Sequence, residues 1–170
     1  MASNVSSSAA LTSSADGPQQ LAFFTACATG NLEEVQRCLR ENGGAIDIDQ
    51  TLKKDKGEMR ASWTALHFAV TGNHARVVRA LTDEGVDVNP PGDCVSALYI
   101  AAEEGYAVMV EQLLAAGADP NGKPSPVDRR TGKPCDDDAY KYMSPLCVAA
   151  KNGHHRHRLH VAVGGSRYKW

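Results

Sequence analysis

One short pattern occurs four times along this chain. A chain that repeats itself in this way folds as a stack of like modules, each leaning on its neighbours, rather than around one rounded core. The four segments are FFTACATGNLEEVQRCL from Phe23, ALHFAVTGNHARVVRAL from Ala65, ALYIAAEEGYAVMVEQLL from Ala97 and PLCVAAKNGHHRHRLHVA from Pro145. Aligned on Phe23, Leu66, Leu98 and Leu146, each has alanine three positions on: Ala26, Ala69, Ala101 and Ala149. Seven positions on stand Gly30, Asn73, Gly105 and Gly153.

These spacings read as a helical hairpin. Residues three apart share a helical face, and a small residue on that face lets a neighbouring helix come close. Glycine at the seventh position suits the left-handed residue that ends a helix, and asparagine is its usual substitute, so Asn73 fits the same place. A second helix is expected from Val35/Cys38, Val78/Leu81 and Val110/Leu113, again three apart on one face. Gly85 and Gly117 close it, and the strings GVDVN and GADPN turn the chain through local Asp and Asn hydrogen bonds. Neither short helix can bury its apolar face alone, so stacking must supply the core.

The signatures read Thr64-Ala65-Leu66-His67-Phe68-Ala69, Ser96-Ala97-Leu98-Tyr99-Ile100-Ala101 and Ser144-Pro145-Leu146-Cys147-Val148-Ala149. They resemble the ankyrin family, whose repeat carries T-P-L-H-x-A and ends in G-A-D-x-N. Leu66 and Leu98 lie 32 residues apart, close to the family period of about 33. The resemblance covers roughly residues 20–165. It implies an all-α fold: an ankyrin-repeat solenoid of about four helix-turn-helix repeats with β-hairpin fingers. The expected organisation is a disordered Ser/Ala-rich arm over 1–19, repeats near 20–49, 61–89, 93–121 and 142–165, and a tail over 166–170.

Two connections are longer than the family pattern. Segments near 50–60 and 122–141 fall where ankyrin repeats form their fingers; the first is charged, the second rich in Pro and Gly. Neither composition supports a core of its own, so they read as lengthened surface loops or as part of a contact surface. The fourth repeat also deviates, with His157-Arg158 where the second and third have Val77-Val78 and Met109-Val110. Burying an unpaired arginine there is costly. The fourth unit is therefore either a polar cap, which the spacing of Gly165 favours, or a tail that never packs.

Several chemistries were weighed on their residues. His154, His155, His157 and His160, with Cys147 and Cys135 upstream, suggest zinc, but no close cysteine pair exists, and solvated cap residues explain them better. The string at 117–123 resembles a phosphate loop, yet Pro124 stands where a magnesium-binding Ser or Thr is needed. The resemblance gives His67 a structural role. No nucleophile with a placed base and no carboxylate pair at catalytic spacing is found, so the expectation is no catalytic residue, no cofactor, no metal and no enzyme activity.

A net charge of −2 gives no overall pull toward nucleic acid or an anionic membrane, and 6% aromatic content argues against a base-stacking surface. Apolar runs such as 97–102 are far too short to span a bilayer. Five widely spaced cysteines (Cys27, Cys38, Cys94, Cys135, Cys147) without a C-x-x-C pair fit free thiols, and so an intracellular chain, cytoplasmic or nuclear.

What the resemblance implies for function is a monomeric scaffold or adaptor that binds a partner protein through its concave face and fingers. The alternatives are the ankyrin portion of a larger enzyme or ubiquitin-ligase subunit, and a zinc-binding regulatory module. Candidate contact residues are Arg60, Trp63, Asp93, Tyr99, Glu103, Glu104, Arg129, Arg130, Tyr140 and Tyr142. The resemblance also marks Asn89 and Asn121 as possible hydroxylation sites, since each ends a D-x-N turn with a leucine eight residues earlier.

Overall fold

In the computed structural model the described residues are 17–41, 46–56, 59–90, 95–122, 144–154, 162–163 and 166–167. They form three helix pairs and a seventh helix. The pairs are α1 (Pro18–Thr29) with α2 (Leu32–Glu41), α3 (Ala65–Thr71) with α4 (Ala75–Asp83), and α5 (Ala97–Glu104) with α6 (Ala107–Ala115). The seventh is α7 (Pro145–Lys151). First helices pack in the order α1, α3, α5, α7, and second helices in the order α2, α4, α6. The helical stack expected from the repeats is thus present.

The repeat positions become the core. Phe23, Leu66 and Leu98 are buried, as are Ala26, Ala69, Ala101 and Ala149. Leu146 is only half-buried; among the described residues α7 packs against a first helix on one side alone. Val35/Cys38, Val78/Leu81 and Val110/Leu113 seal the second layer. Helix α5 is buried from Ala97 to Glu103 because α3 and α7 sandwich it while α6 backs it.

Helix ends follow backbone sterics. Gly30, Gly105 and Gly153 take positive φ, and Asn73, at φ 59°, is the sole non-glycine to do so among the described residues. At Gly105 a Cβ would also lie 2.7 Å from the His154 ring, so both conformation and close packing demand glycine there.

Between the first and second repeats, β1 (Leu52–Lys56) pairs antiparallel with β2 (Met59–Trp63), Leu52 opposite Trp63 and Lys56 opposite Met59. A second short ladder joins β3 (Ala162–Val163) to β4 (Ser166–Arg167). Ala162 is extended although the matching positions, Thr82 and Leu114, lie inside α4 and α6.

Candidate protein-binding face

The face is built outward from the Thr64-Ala65-Leu66-His67 signature. Thr64 stands at the N-cap of α3 and is buried. Nδ1 of the buried His67 accepts the Thr64 backbone N–H at 3.1 Å and lies 2.7 Å from Thr64 Oγ1. On the other side of the ring, Nε2 meets the carbonyl of Val95 in the next repeat. A carbonyl only accepts, so Nε2 carries the proton and the imidazole is neutral. His67 thereby clamps its own helix start and ties the second repeat to the third, which leaves neither nitrogen for catalysis.

Tyr99 and Cys147 take the histidine position in the next two signatures. There Ser96 and Ser144 cap the helices, each hydroxyl accepting the backbone N–H of the third residue on at 3.4 Å, and the Ser144 hydroxyl also donates to Cys147 Sγ at 3.3 Å. Two loop histidines tie the stack in another place. His74 sets Nε2 3.1 Å from the carbonyl of Ala28 and packs on Gly30 and Gly72. His154 sets Nε2 3.0 Å from the carbonyl of Glu103, beside an Asn152 amide donating to the same oxygen at 2.9 Å.

The turns form their own ladder. Asp47, Asp87 and Asp119 each accept, through Oδ1, the backbone N–H two residues on. Asp49 accepts the Asp87 N–H at 2.8 Å, and Asn89 donates to the Gly117 carbonyl at 2.9 Å while accepting the Asp119 N–H at 2.7 Å. Asn89 is exposed yet engaged at both ends of its amide; Asn121 is exposed at the last rung. In the first repeat, buried Gln20 does similar work, donating to the Asp47 carbonyl at 2.8 Å and accepting its N–H at 3.1 Å.

On the face of the first helices lies a row of aromatic rings. Trp63, at the end of β2, is half-buried, with its ring centroid 5.4 Å from Phe68 and 6.2 Å from His67. Phe68 on α3 is also half-buried and meets the buried Phe24 of α1 nearly edge-on at 5.8 Å. These are favourable ring geometries. The row runs from the strand pair across α3 onto α1.

The candidate contact residues separate accordingly. Trp63 sits on this face, and Glu104 is exposed at the end of α5. Tyr99 is fully buried and Glu103 is 6% exposed. Both side chains are taken up by α5 packing between α3 and α7, so they present no surface, and their selection as contacts is corrected. Arg60 lies in β2. Asp93, Arg129, Arg130, Tyr140 and Tyr142 lie outside the described residues, as do His155, His157 and His160. Among the described residues no three His, Cys, Asp or Glu side chains converge to hold a metal. Sequence reasoning passed over Phe68, Gln20 and His74; the signal for His74 was a histidine directly after the left-handed Asn73.

The two buried thiols, Cys27 and Cys38, are quiet. Burial pushes Cys27 up to about 12, the neighbouring Cys38 adding to the rise. Burial also raises Cys38, helped by the Glu34 carboxylate. A thiol held protonated is a poor nucleophile.

The fold and its bonded turns define a stacked-repeat protein, and comparison with known proteins gives the family. The family model described as "Ankyrin repeats (3 copies)" matches residues 23–124, and the chain belongs to the ankyrin-repeat family. It is similar to "Palmitoyltransferase AKR1" of Lachancea kluyveri, 39% identical over 101 residues, covering 58% of this chain and 13% of that protein. It is also similar to "Ankyrin repeat, SAM and basic leucine zipper domain-containing protein 1" of Saimiri boliviensis boliviensis, 30% identical over 137 residues, covering 78% of this chain and 24% of that protein. The mouse protein of the same name is 28% identical over the same length. The chain thus spans a quarter or less of the length of these curated relatives.

These matches correct one expectation from the sequence. The expectation of no enzyme is overturned by the relatives from Lachancea kluyveri and Kluyveromyces lactis, both named palmitoyltransferase, although a repeat stack as part of a larger enzyme stood as the alternative. A search for a nucleophile and base inside the repeats cannot detect this, because a repeat stack can be one part of a longer enzyme. Among the described residues no helix is long and apolar enough to cross a membrane.

Proposed function

We propose that this chain is a protein-binding module that receives its partner on the concave face of the first helices and on fingers beside it. Ankyrin repeats generally mediate protein–protein interaction, and the observation that carries the reading here is the aromatic row. Trp63 and Phe68 are large, rigid rings left half-open on the face of α3. Rings of this kind anchor interfaces because they offer much apolar area at little cost in conformational entropy. We read the β1–β2 pair, which ends at Trp63, as the first finger. The buried thiols Cys27 and Cys38 suit a reducing, intracellular setting.

The test is capture of partners by the full chain, with the partner's footprint then mapped by hydrogen exchange. Protection over 59–72 and the exposed side of α5, and loss of capture with Trp63→Ala plus Glu104→Lys in a chain that still melts cooperatively, is the expected result. A footprint on α2, α4 and α6, or no specific partner, overturns it. A second reading, the repeat portion of a larger enzyme, draws support from the palmitoyltransferase matches. It is distinguished by a longer native transcript that encodes a transferase domain in the same chain.

A further inference from the structure

Asparagine is followed by glycine at Asn42-Gly43, Asn121-Gly122 and Asn152-Gly153. This dipeptide carries a reactivity of its own, because glycine has no side chain to keep its backbone nitrogen from closing on the asparagine amide. The first pair lies outside the described residues, and the second ends the turn ladder. The third stands at the end of α7, inside the tie that joins the fourth repeat to the third. There half-buried Asn152 donates its side-chain amide to the Glu103 carbonyl at 2.9 Å, beside His154 Nε2 at 3.0 Å from the same oxygen.

In the closed helix end this pair is restrained. The Gly153 N–H donates to the Ala150 carbonyl at 3.1 Å and the His154 N–H to the Ala149 carbonyl at 3.0 Å, with Gly153 at φ 78°. Asn152 has ψ 4°, which turns the Gly153 nitrogen away from the Asn152 side chain. Little secures that state. α7 has seven residues, leaves Leu146 half-buried, and exposes Cys147 and Ala150. An element held so lightly opens locally far more often than the whole stack unfolds. We propose that Asn152 is a site of spontaneous deamidation gated by the opening of α7, and that the reaction turns a reversible opening into a permanent loosening of this junction.

Once α7 opens, ψ of Asn152 turns freely and the Gly153 nitrogen, its proton lost to hydroxide, attacks Asn152 Cγ. The N–Cγ bond forms, the Cγ–Nδ2 bond breaks, and the amide nitrogen leaves as ammonia after taking a proton from water. Water then opens the five-membered ring at either carbonyl. One product is aspartate; the other is a β-linked residue with an extra carbon in the backbone. The net change is amide plus water to acid plus ammonia. Neither product remakes the tie. An ionised carboxylate accepts but does not donate, so against the Glu103 carbonyl it sets two acceptors face to face. The β-linked form also displaces the Gly153 and His154 N–H groups that close the helix end. Asn89, which bridges the second and third repeats, is followed by Pro90, whose nitrogen has no proton to lose, so this route is closed to it.

The experiment ages the full chain in warm, mildly alkaline buffer and follows the amide-to-acid mass rise at Asn152 and Asn121 separately by peptide mapping. The same chain in guanidinium chloride supplies the rate without structure. Asn152 should react about tenfold or more slowly in buffer than in guanidinium, by the fraction of time α7 is open. His154→Ala should raise the Asn152 rate in buffer about threefold or more, relative to the same variant in guanidinium, and leave Asn121 unchanged. Should that variant disturb the whole melt, Leu146→Ala on the outer side of α7 makes the same comparison. The aged chain, and Asn152→Asp made directly, should exchange the amides of α7 faster while those of α3 keep their rates. Equal Asn152 rates in buffer and guanidinium, or no response to either variant, overturn the gating. An α7 that exchanges as before after conversion overturns the loosening, and an Asn152 that stays an amide in guanidinium removes the site.

Discussion

The junction between the second and third repeats and the junction between the third and fourth use the same spacing of residues and end up differently held. At the first, α3 packs on α5 and α4 on α6, His67 bridges Thr64 to Val95, and Asn89 bonds the next turn through both ends of its amide. At the second, α5 packs on α7, the buried histidine is replaced by Tyr99 and Cys147, and the side-chain ties among the described residues include Asn152 and His154 onto one carbonyl, that of Glu103. Among the described residues, one junction is bonded at the helix starts, in both helix layers and at the turns; the other through the packing of α7 on α5 and the loop between helices. In a stack stabilised by nearest neighbours, that difference grades the whole chain.

The largest effect that should separate the two junctions comes from the core. Leu66→Ala or Leu98→Ala removes a buried side chain and should cost about 2–5 kcal/mol in urea unfolding. Leu146→Ala, at a half-buried position, should cost clearly less. Equal losses at all three would erase the gradient. Next come the histidines. His67→Ala strands the Thr64 N–H and the Val95 carbonyl in the interior and should cost about 1–3 kcal/mol. His154→Ala, at a partly buried site, should cost about 0.5–1.5 kcal/mol.

Of similar or smaller size is Gly105→Ala. A left-handed conformation costs a non-glycine residue about 1–2 kcal/mol, and the added Cβ also displaces His154. Combined with His154→Ala, its cost should fall back to the conformational part alone, which a double-mutant cycle reads directly.

Much of this was legible in the sequence because the repeat itself encodes it. Small residues at Ala26, Ala69, Ala101 and Ala149, and left-handed residues at Gly30, Asn73, Gly105 and Gly153, are demanded by close helix approach and by helix ends. The binding face was less legible. Tyr99 and Glu103 belong to a first helix and are polar-tipped, which suggested contact residues, yet α7 covers them; only the presence of the next repeat decides this. Phe68 stood only inside the repeat signature, with nothing local to mark it as exposed. Its half-open position depends on the path of β2 past α3, which no local pattern specifies.

A further effect falls at the first repeat and shows only at high pH. The folded state raises the Cys27 thiol from 9.0 to about 12 through burial. The folded chain therefore holds this proton more tightly, so its contribution to stability is intact below 9.0 and is lost as the pH climbs toward about 12. Urea midpoints should be insensitive to Cys27→Ala chemistry at neutral pH beyond the packing change. Between these two values the wild-type midpoint should fall more steeply than that of the variant. Parallel curves would mean that Cys27 ionises as freely in the folded chain as in the unfolded one.

The most direct test of the graded stack is native-state hydrogen exchange on the full chain, resolved to single helices. The amides of α3 and α5 should exchange last and together, at the free energy of global unfolding, with those of α7 opening earlier in a separate step. Exchange of α7 in the same step and at the same rate as α5 would contradict it: the fourth repeat would then be as firmly held as the second and third.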